Sequence, residues 1–438
     1  MSGIAGIIVR DGSAVPMSKM DRLCTALGHR GPDGEGRYVK GPVGFIQTRL
    51  AIVDLDTGDQ PIYHENGSSL VANGEIYNYV ELRKSLCEAS FKTRSDSETA
   101  LRVYARDNID GFDALRGMYA FAIHDAVENQ VVLCRDPFGI KQLYYVETPE
   151  YFAFASEAQA LIAAGLVGRD VRADARSELL QVQFTTGSDM IFDGIKRLLP
   201  GETIVLSNGR IIDRRRRQVL GDSASVGTHL EAALTDWDRV FEESVRVHQR
   251  SDVDYAMFLS GGVDSASLLG MMHRLNERPV TAYTAAFEAS SVHDEREIAR
   301  DVAKACNANH IEVMFSERDF WTLLPEVAAR MDDPVADYAI LPTYKLASEA
   351  ARDFKVVLCG EGGDELFGGY GRYRSVMRPL LLGGRVMRSK GTFDKTDVLR
   401  PDVLEGWRDG IAASESRENR GKRSRLAVAQ AVDCSDWL

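Results

Sequence analysis

The sequence predicts two domains in tandem: a layered α+β domain with mainly antiparallel sheets up to about residue 210, then an α/β domain built on a doubly wound parallel sheet from about residue 230. Three observations carry this. The 438 residues exceed what one hydrophobic core usually serves. The first half is dense in short apolar runs separated by Gly, Asp and Asn turns, whereas the second alternates longer helical patterns with single buried strands. A glycine-rich acidic loop stands at a strand-to-helix junction of the second half, where such a fold gathers its ligands.

In the first half, strands are expected at 43–46, 69–72, 120–124, 130–134 and 151–155, with helices at 17–27, 80–86 and 98–106. The polar stretch 211–229 follows and reads as a linker. It contains the run Arg214 to Arg217, which, like the basic cluster at 420–425, is expected as a solvated face or loop. Beyond it, helices are expected at 230–247, 295–306 and 341–352 and strands at 255–259, 281–287 and 355–358. There is no internal repeat and no low-complexity tract.

Composition excludes several classes. A hydrophobic fraction of 44% and a charged fraction of 27% are those of an ordinary globular chain, and a net charge of −12 argues against nucleic acid or an anionic membrane as partner. Cys24, Cys87, Cys134, Cys306, Cys359 and Cys434 lack CxxC spacing and read as reduced thiols. The apolar run 4–9 is too short for a signal-peptide core, and no stretch is long enough to span a bilayer, so a cytoplasmic location is expected.

The loop is Ser260-Gly261-Gly262-Val263-Asp264-Ser265, between an apolar strand and an apolar helix. Its glycines let backbone approach a ligand, and the N–H groups and positive dipole end of the helix face the same point, which suits an anion. No lysine of the GxxxxGK[ST] kind is present. Asp264 would repel a bare phosphate but suits Mg²⁺ bridging phosphate oxygens, so bound pyrophosphate is the expectation; a ligand-free turn is the plainer alternative. A second run, Gly360-Glu361-Gly362-Gly363-Asp364-Glu365, follows the strand expected at 355–358 and would leave the same sheet edge. Asp364 could then share the metal, and Glu361 could handle a proton or orient an amine. Asp332 and Asp333, before Pro334, add carboxylates that read equally well as part of a structural turn. Held pyrophosphate implies ATP cleaved between its α- and β-phosphates, with a carboxylate activated as an acyl-adenylate.

The chain opens Met1-Ser2-Gly3-Ile4-Ala5-Gly6 and carries His29-Arg30-Gly31-Pro32-Asp33, Arg49 to Asp54, Asn73-Gly74-Glu75-Ile76-Tyr77-Asn78 and Ser95-Asp96-Ser97-Glu98. Together with the two acidic runs, these motifs closely resemble the glutamine-hydrolysing asparagine synthetase family from residue 1 to 438. That resemblance implies an N-terminal-nucleophile (Ntn) hydrolase domain of αββα layers over 1–210, the class II glutamine amidotransferase. It further implies an ATP-pyrophosphatase domain of the adenine nucleotide alpha hydrolase-like kind over 230–438.

By the same resemblance, Asn73 and Gly74 form an oxyanion hole, Arg49 pairs with the carboxylate of glutamine, and Glu75 and Asp96 pair with its ammonium. Leu259, Ala285 and Gly360 border adenosine, Ser260, Gly261, Gly262, Asp264 and Ser265 hold pyrophosphate, and Asp264 and Asp364 hold Mg²⁺. ATP and Mg²⁺ are the implied cofactors; aspartate and glutamine or ammonia are the implied substrates, and a homodimer is the association the family allows.

The sequence departs from the family at the nucleophile, where Ser2 stands for a cysteine after the initiator Met. A hydroxyl is harder to deprotonate than a thiol, and the family's base is the α-amine freed by Met removal, with a pKa of about 8. Impaired glutaminase activity, or free ammonia as the donor, is therefore expected. The family also continues past the position matching Leu438, so a truncated or unlisted tail is expected, with the pyrophosphate-facing lysine lying in that stretch. Smaller departures are Cys359 for serine, Gln142 for proline and Ala286 for glycine. Two other readings remain: an adenylating synthetase acting on another carboxylate, similar to the β-lactam synthetases, and a non-catalytic regulator that binds glutamine or nucleotide.

Overall fold

The computed structural model describes residues 1–367, apart from 88–89, 186, 218, 220–228 and 289–293, together with 369–370, 378 and 380–382. The described chain divides into two compact units, each described by itself: residues up to 219 together with Asp332–Ala336, and residues 229–331 together with Asp337–Gly369.

In the first unit two six-stranded sheets stack. The strands are β1 (Gly3–Val9), β2 (Gly34–Lys40), β3 (Val43–Arg49), β4 (Ile62–Tyr63), β5 (Ser69–Ile76), β6 (Gly117–Asp125), β7 (Gln130–Arg135), β8 (Tyr144–Glu147), β9 (Tyr151–Ala155), β10 (Ile195–Arg197), β11 (Glu202–Ser207) and β12 (Arg210–Arg216). One sheet runs β10-β8-β9-β1-β3-β2, the other β12-β11-β7-β6-β5-β4. Their pairings are antiparallel, as the first half's turn-rich pattern predicted.

Three apolar clusters establish the layering. Ile4, Ile8 and Phe45 of the first sheet interdigitate with Val71, Ala120 and Leu133 of the second. Helices α1 (Met17–Leu27), α4 (Ala158–Ala163) and α5 (Ala173–Val182) cover the first sheet's outer face through Met20, Leu23, Leu161 and Ala175. Helix α3 (Glu98–Asp107) covers the second through Leu101 and Tyr104, with α2 (Tyr79–Ser85) beside it. The order helix, sheet, sheet, helix is the αββα arrangement expected. A sheet covered on both faces cannot alternate polar and apolar residues, which is why β1 and β3 are buried at every position.

The arginine run differs from its expectation as linker. Arg214, Arg215 and Arg216 lie in β12, an edge strand paired with β11. Arg214 pairs with Glu202, and Arg215 with Asp110 and Asp113, so local carboxylates hold the run in the sheet.

The second unit has a four-stranded parallel sheet in the order β15-β14-β13-β16, from β13 (Tyr255–Phe258), β14 (Thr281–Phe287), β15 (Asn309–Phe315) and β16 (Val356–Leu358). Helices α6 (Leu230–His248), α7 (Val263–Leu275) and α8 (Arg296–Ala305) pack around Met257 and Ala282 through Val245, Leu269 and Ala299. Leu346 and Ala350 of α10 (Ile340–Ala350) pack with Ala256, Tyr283 and Val313. This is the doubly wound parallel sheet expected. The sequence reading missed β15 and α9 (Glu317–Arg330). β15 is an edge strand whose polar residues Asn309, His310 and Glu312 break up its apolar run, and Pro325 inside α9 argues for a break that the Ser316–Asp319 capping box outweighs. The basic cluster at 420–425 and Cys434 lie outside the described residues. No helix among those described is long and apolar enough to cross a membrane.

Candidate active sites

In the first unit, Ser2 sits at the mouth of β1. Its hydroxyl accepts the Leu50 N–H at 3.1 Å, and its carbonyl accepts from Arg30 Nε at 3.0 Å. Arg30 is held in turn by Glu157 at 2.7 Å. The backbone around the serine is therefore fixed on both sides.

Asn73 and Gly74 lie on β5. The Asn73 side-chain amide nitrogen is buried with no hydrogen-bond partner, a donor aimed at nothing the protein supplies. Gly74 has φ +145°, and a Cβ there would stand 2.1 Å from the Met118 carbonyl oxygen, so only glycine fits. Gly74→Ala is expected to destabilise the chain by at least about 2 kcal/mol, read as a lower urea midpoint with an unchanged slope; a midpoint equal to that of the parent would contradict this.

Glu75 and Asp96 are both buried. Burial, then Asp96, pushes the Glu75 carboxyl up to about 7 against the opposing pull of Lys141. Burial lifts Asp96 to about 6 although backbone N–H groups oppose it, that of Ile76 at 2.6 Å. Two carboxylates that disfavour each other's charge make a receptor for a cation. Arg49, at the end of β3, is already engaged: it donates to Asp59 at 2.7 Å and to the Asp54 carbonyl. Asp59 is 84% exposed, so an incoming carboxylate could replace it.

Lys141 and Glu157 were not singled out in the sequence, and Arg30 was quoted there only as part of the 29–33 motif, without a role. Lys141 follows Gly139-Ile140 in a turn wound around Asp136, and the signal noted there in the sequence was the departure at the next residue, Gln142.

Asp332 and Asp333 prove structural where the structure describes them. Asp332 caps α4 by accepting the N–H groups of Ala158 and Gln159, and Asp333 pairs with the buried Arg197 at 2.8 Å. Burial raises the Asp332 carboxyl to about 6.

In the second unit β13 pairs in parallel with β16, Met257 opposite Leu358, so both acidic loops leave neighbouring strands at their carboxyl ends. They meet. A Cβ on Gly363 would lie 2.5 Å from the Asp264 carboxyl, and one on Gly360 would lie 2.9 Å from the Ser265 nitrogen. Burial, then Asp364 and Glu365, raises the Asp264 carboxyl. Burial, then Glu365, Asp337, Asp364 and Asp264, raises Glu361. Asp337, four residues beyond Asp333, was not singled out in the sequence.

Gly262 caps α7, placing Asp264 in its first turn. The Ser265 hydroxyl accepts the Ser260 N–H at 3.0 Å, and the Ser260 hydroxyl accepts that of Gly262 at 3.1 Å. The Gly261 N–H is taken by the Glu295 carboxylate at 2.8 Å, an anion standing where the sequence led one to be expected. The Leu259 carbonyl accepts from Thr284 Oγ1 at 2.8 Å, which ties β13 to β14 beside half-buried Ala285. Among the described residues no group of three or more His, Cys, Asp or Glu is placed to hold a metal ion by itself. Asp264 and Asp364 suit Mg²⁺ only with phosphate oxygens and water completing its shell, which is how Mg²⁺ is usually held at nucleotides.

Residues 1–216 match the glutamine amidotransferase domain family, and residues 236–438 match the asparagine synthase family. Glutamine-hydrolyzing asparagine synthetase 1 of Bacillus subtilis is 35% identical over 353 residues, 79% of this chain and 55% of that protein. A putative glutamine-hydrolyzing asparagine synthetase of Mycobacterium tuberculosis H37Rv is 35% identical over 400 residues, 86% of this chain and 61% of that protein. One of Methanocaldococcus jannaschii is 29% identical over 405 residues, 84% of this chain and 76% of that protein. The chain thus spans less than two thirds of the length of the first two relatives, 55% and 61%.

Proposed function

The chain belongs to the glutamine-hydrolysing asparagine synthetase family, which joins a glutamine amidotransferase domain to an asparagine synthase domain, and on that premise we propose that it forms asparagine from aspartate and ATP. One observation carries the reading: the two acidic loops converge at the carboxyl ends of neighbouring strands, with Asp264 packed under Gly360 and Gly363.

The aspartate β-carboxylate attacks the α-phosphorus of ATP, forming the β-aspartyl-adenylate as pyrophosphate leaves. The 260–265 loop and the first turn of α7 hold the leaving pyrophosphate. Asp264 and Asp364 would hold Mg²⁺, which neutralises phosphate charge when bound. That fits the Asp264 site, where neighbouring carboxylates make a resident cation favourable. Ammonia then attacks the acyl carbon, its excess proton passes to Glu361, and AMP leaves. Leu259, Ala285 and Gly360 border the adenosine.

Ammonia comes from glutamine or from solution. With Met1 removed, the Ser2 hydroxyl attacks the side-chain amide carbon while the freed α-amine takes its proton. Asn73 donates to the oxyanion, Glu75 and Asp96 receive the ammonium, and Arg49 exchanges Asp59 for the substrate carboxylate. These four groups would have little use in a synthetase that had lost glutamine, which weighs against a substrate-internal amine as nucleophile. Action in the cytoplasm is part of the same reading.

The test supplies the purified chain with aspartate, ATP, Mg²⁺ and ammonium chloride. Asparagine, AMP and pyrophosphate in equal amounts are expected. AMP formed only with another carboxylate would replace aspartate as substrate. ATP or glutamine bound in a calorimeter, with no AMP under any condition, would mean a binding protein instead.

A further inference from the structure

Lys141 is a buried cation that neither half-reaction described above uses. Its own N–H donates to Asp136 Oδ2 at 2.9 Å, and Asp136, fully buried, also accepts the N–H groups of Phe138, Ile140 and Tyr119. The turn 136–141 is thus wound on one carboxylate, and its last residue is sent inward. Lys141 is 5% exposed, and its Nζ lies 2.8 Å from Met1 Sδ, against the residue whose removal would make Ser2 the chain's start.

We propose that Lys141 is a positioning residue of the glutaminase half: its fixed ammonium, set against the first residue, biases the α-amine that Ser2 exposes toward the neutral form that accepts the hydroxyl proton. The inference rests on the amidotransferase reading above. The balance is that of a single proton transfer. Ser2 Oγ–H gives its proton to the neutral amine as the oxygen bonds to the amide carbon, and the ammonium so formed returns that proton to the departing ammonia.

Charge logic supports the placement. With Met1 in place the terminal amine is that of Met1, lowered to about 6 by burial first, then by Arg30 and then by Lys141, against Asp33 and Glu157, which act to raise it; Lys141 therefore already disfavours an ammonium at the start of the chain. Lys141 itself is lowered to about 8 by burial, with Glu75 and Asp136 favouring its charge and Arg30 opposing it. An amine protonated at neutral pH could not act as base, so a resident cation beside it favours catalysis for the reason it disfavours a second charge.

Two variants test this: Lys141→Met, of similar length and uncharged, and Lys141→Arg, which keeps the charge. In Met1-free protein, verified by intact mass, the terminal amine is labelled with an acylating reagent across pH and quantified by mass spectrometry of the N-terminal peptide. The labelling midpoint should rise by about one pH unit in Lys141→Met and stay near the parent in Lys141→Arg. The acid limb of glutaminase kcat/KM should move with it. An unmoved midpoint in Lys141→Met, or an equal shift in both variants, overturns the proposal. Labelling that shifts as expected while no variant hydrolyses glutamine at any pH leaves the electrostatic role standing and removes the amidotransferase reading instead. Retention of Met1 in the intact mass overturns both.

Discussion

Glu361→Gln is expected to reduce asparagine-linked AMP release by roughly 10²- to 10⁴-fold while ATP still binds. The glutamine side chain keeps the size and hydrogen-bonding reach of the glutamate but cannot take a proton. Glu361 stands among Glu365, Asp337, Asp364 and Asp264, which with burial raise its carboxyl, so the parent's activity should fall off on the acid side at a higher pH than an exposed glutamate would give. The variant should lose that limb along with the rate. Calorimetric ATP binding measured beside AMP release separates chemistry from binding. AMP release within tenfold of the parent would remove Glu361 from the reaction.

The second large effect belongs to Ser2. Ser2→Ala should lower glutamine hydrolysis at least about 10³-fold, because no other hydroxyl takes the place of the attacking atom. Ammonium-dependent asparagine formation serves as the reference in the same preparation. Ser2→Cys should instead raise hydrolysis above the parent, since a thiol ionises far more readily in the same position. Equal rates in the parent and in Ser2→Ala would mean that the parent hydrolyses no glutamine through this residue.

Much of this was legible in the sequence because it is local. The helix Met17–Leu27 and the strand Thr281–Phe287 were delimited to the residue by periodicity alone, and the 260–265 loop identified its own junction. What could not be read was long-range. Asp332 looks like one acid of a turn until the amides of Ala158 and Gln159, distant in sequence, are found on it. Arg49 looks like a free anion receptor until Asp59 and the Asp54 carbonyl are seen to hold it. Glu295 reads as the start of a helix, which it caps, and only folding brings its carboxylate onto Gly261. In each case the residue type was visible and its partner was not, because partner choice is set by packing across the sheets rather than by neighbours along the chain.

The short stretch Asp332–Ala336, contributed from deep in the second half yet counted with the first unit, bears on how the protein can be dissected. A fragment ending near residue 217 would carry every motif of its half and still be unfinished. Helix α4 would begin with bare amides, and buried Arg197 would keep its bonds to Thr185 and Gly187 but lose Asp333, the one carboxylate paired with it among the described residues, and removing one partner of a buried ion pair costs about 3–5 kcal/mol. The border between the halves, drawn along the sequence, is therefore not a place where the polypeptide can simply be cut.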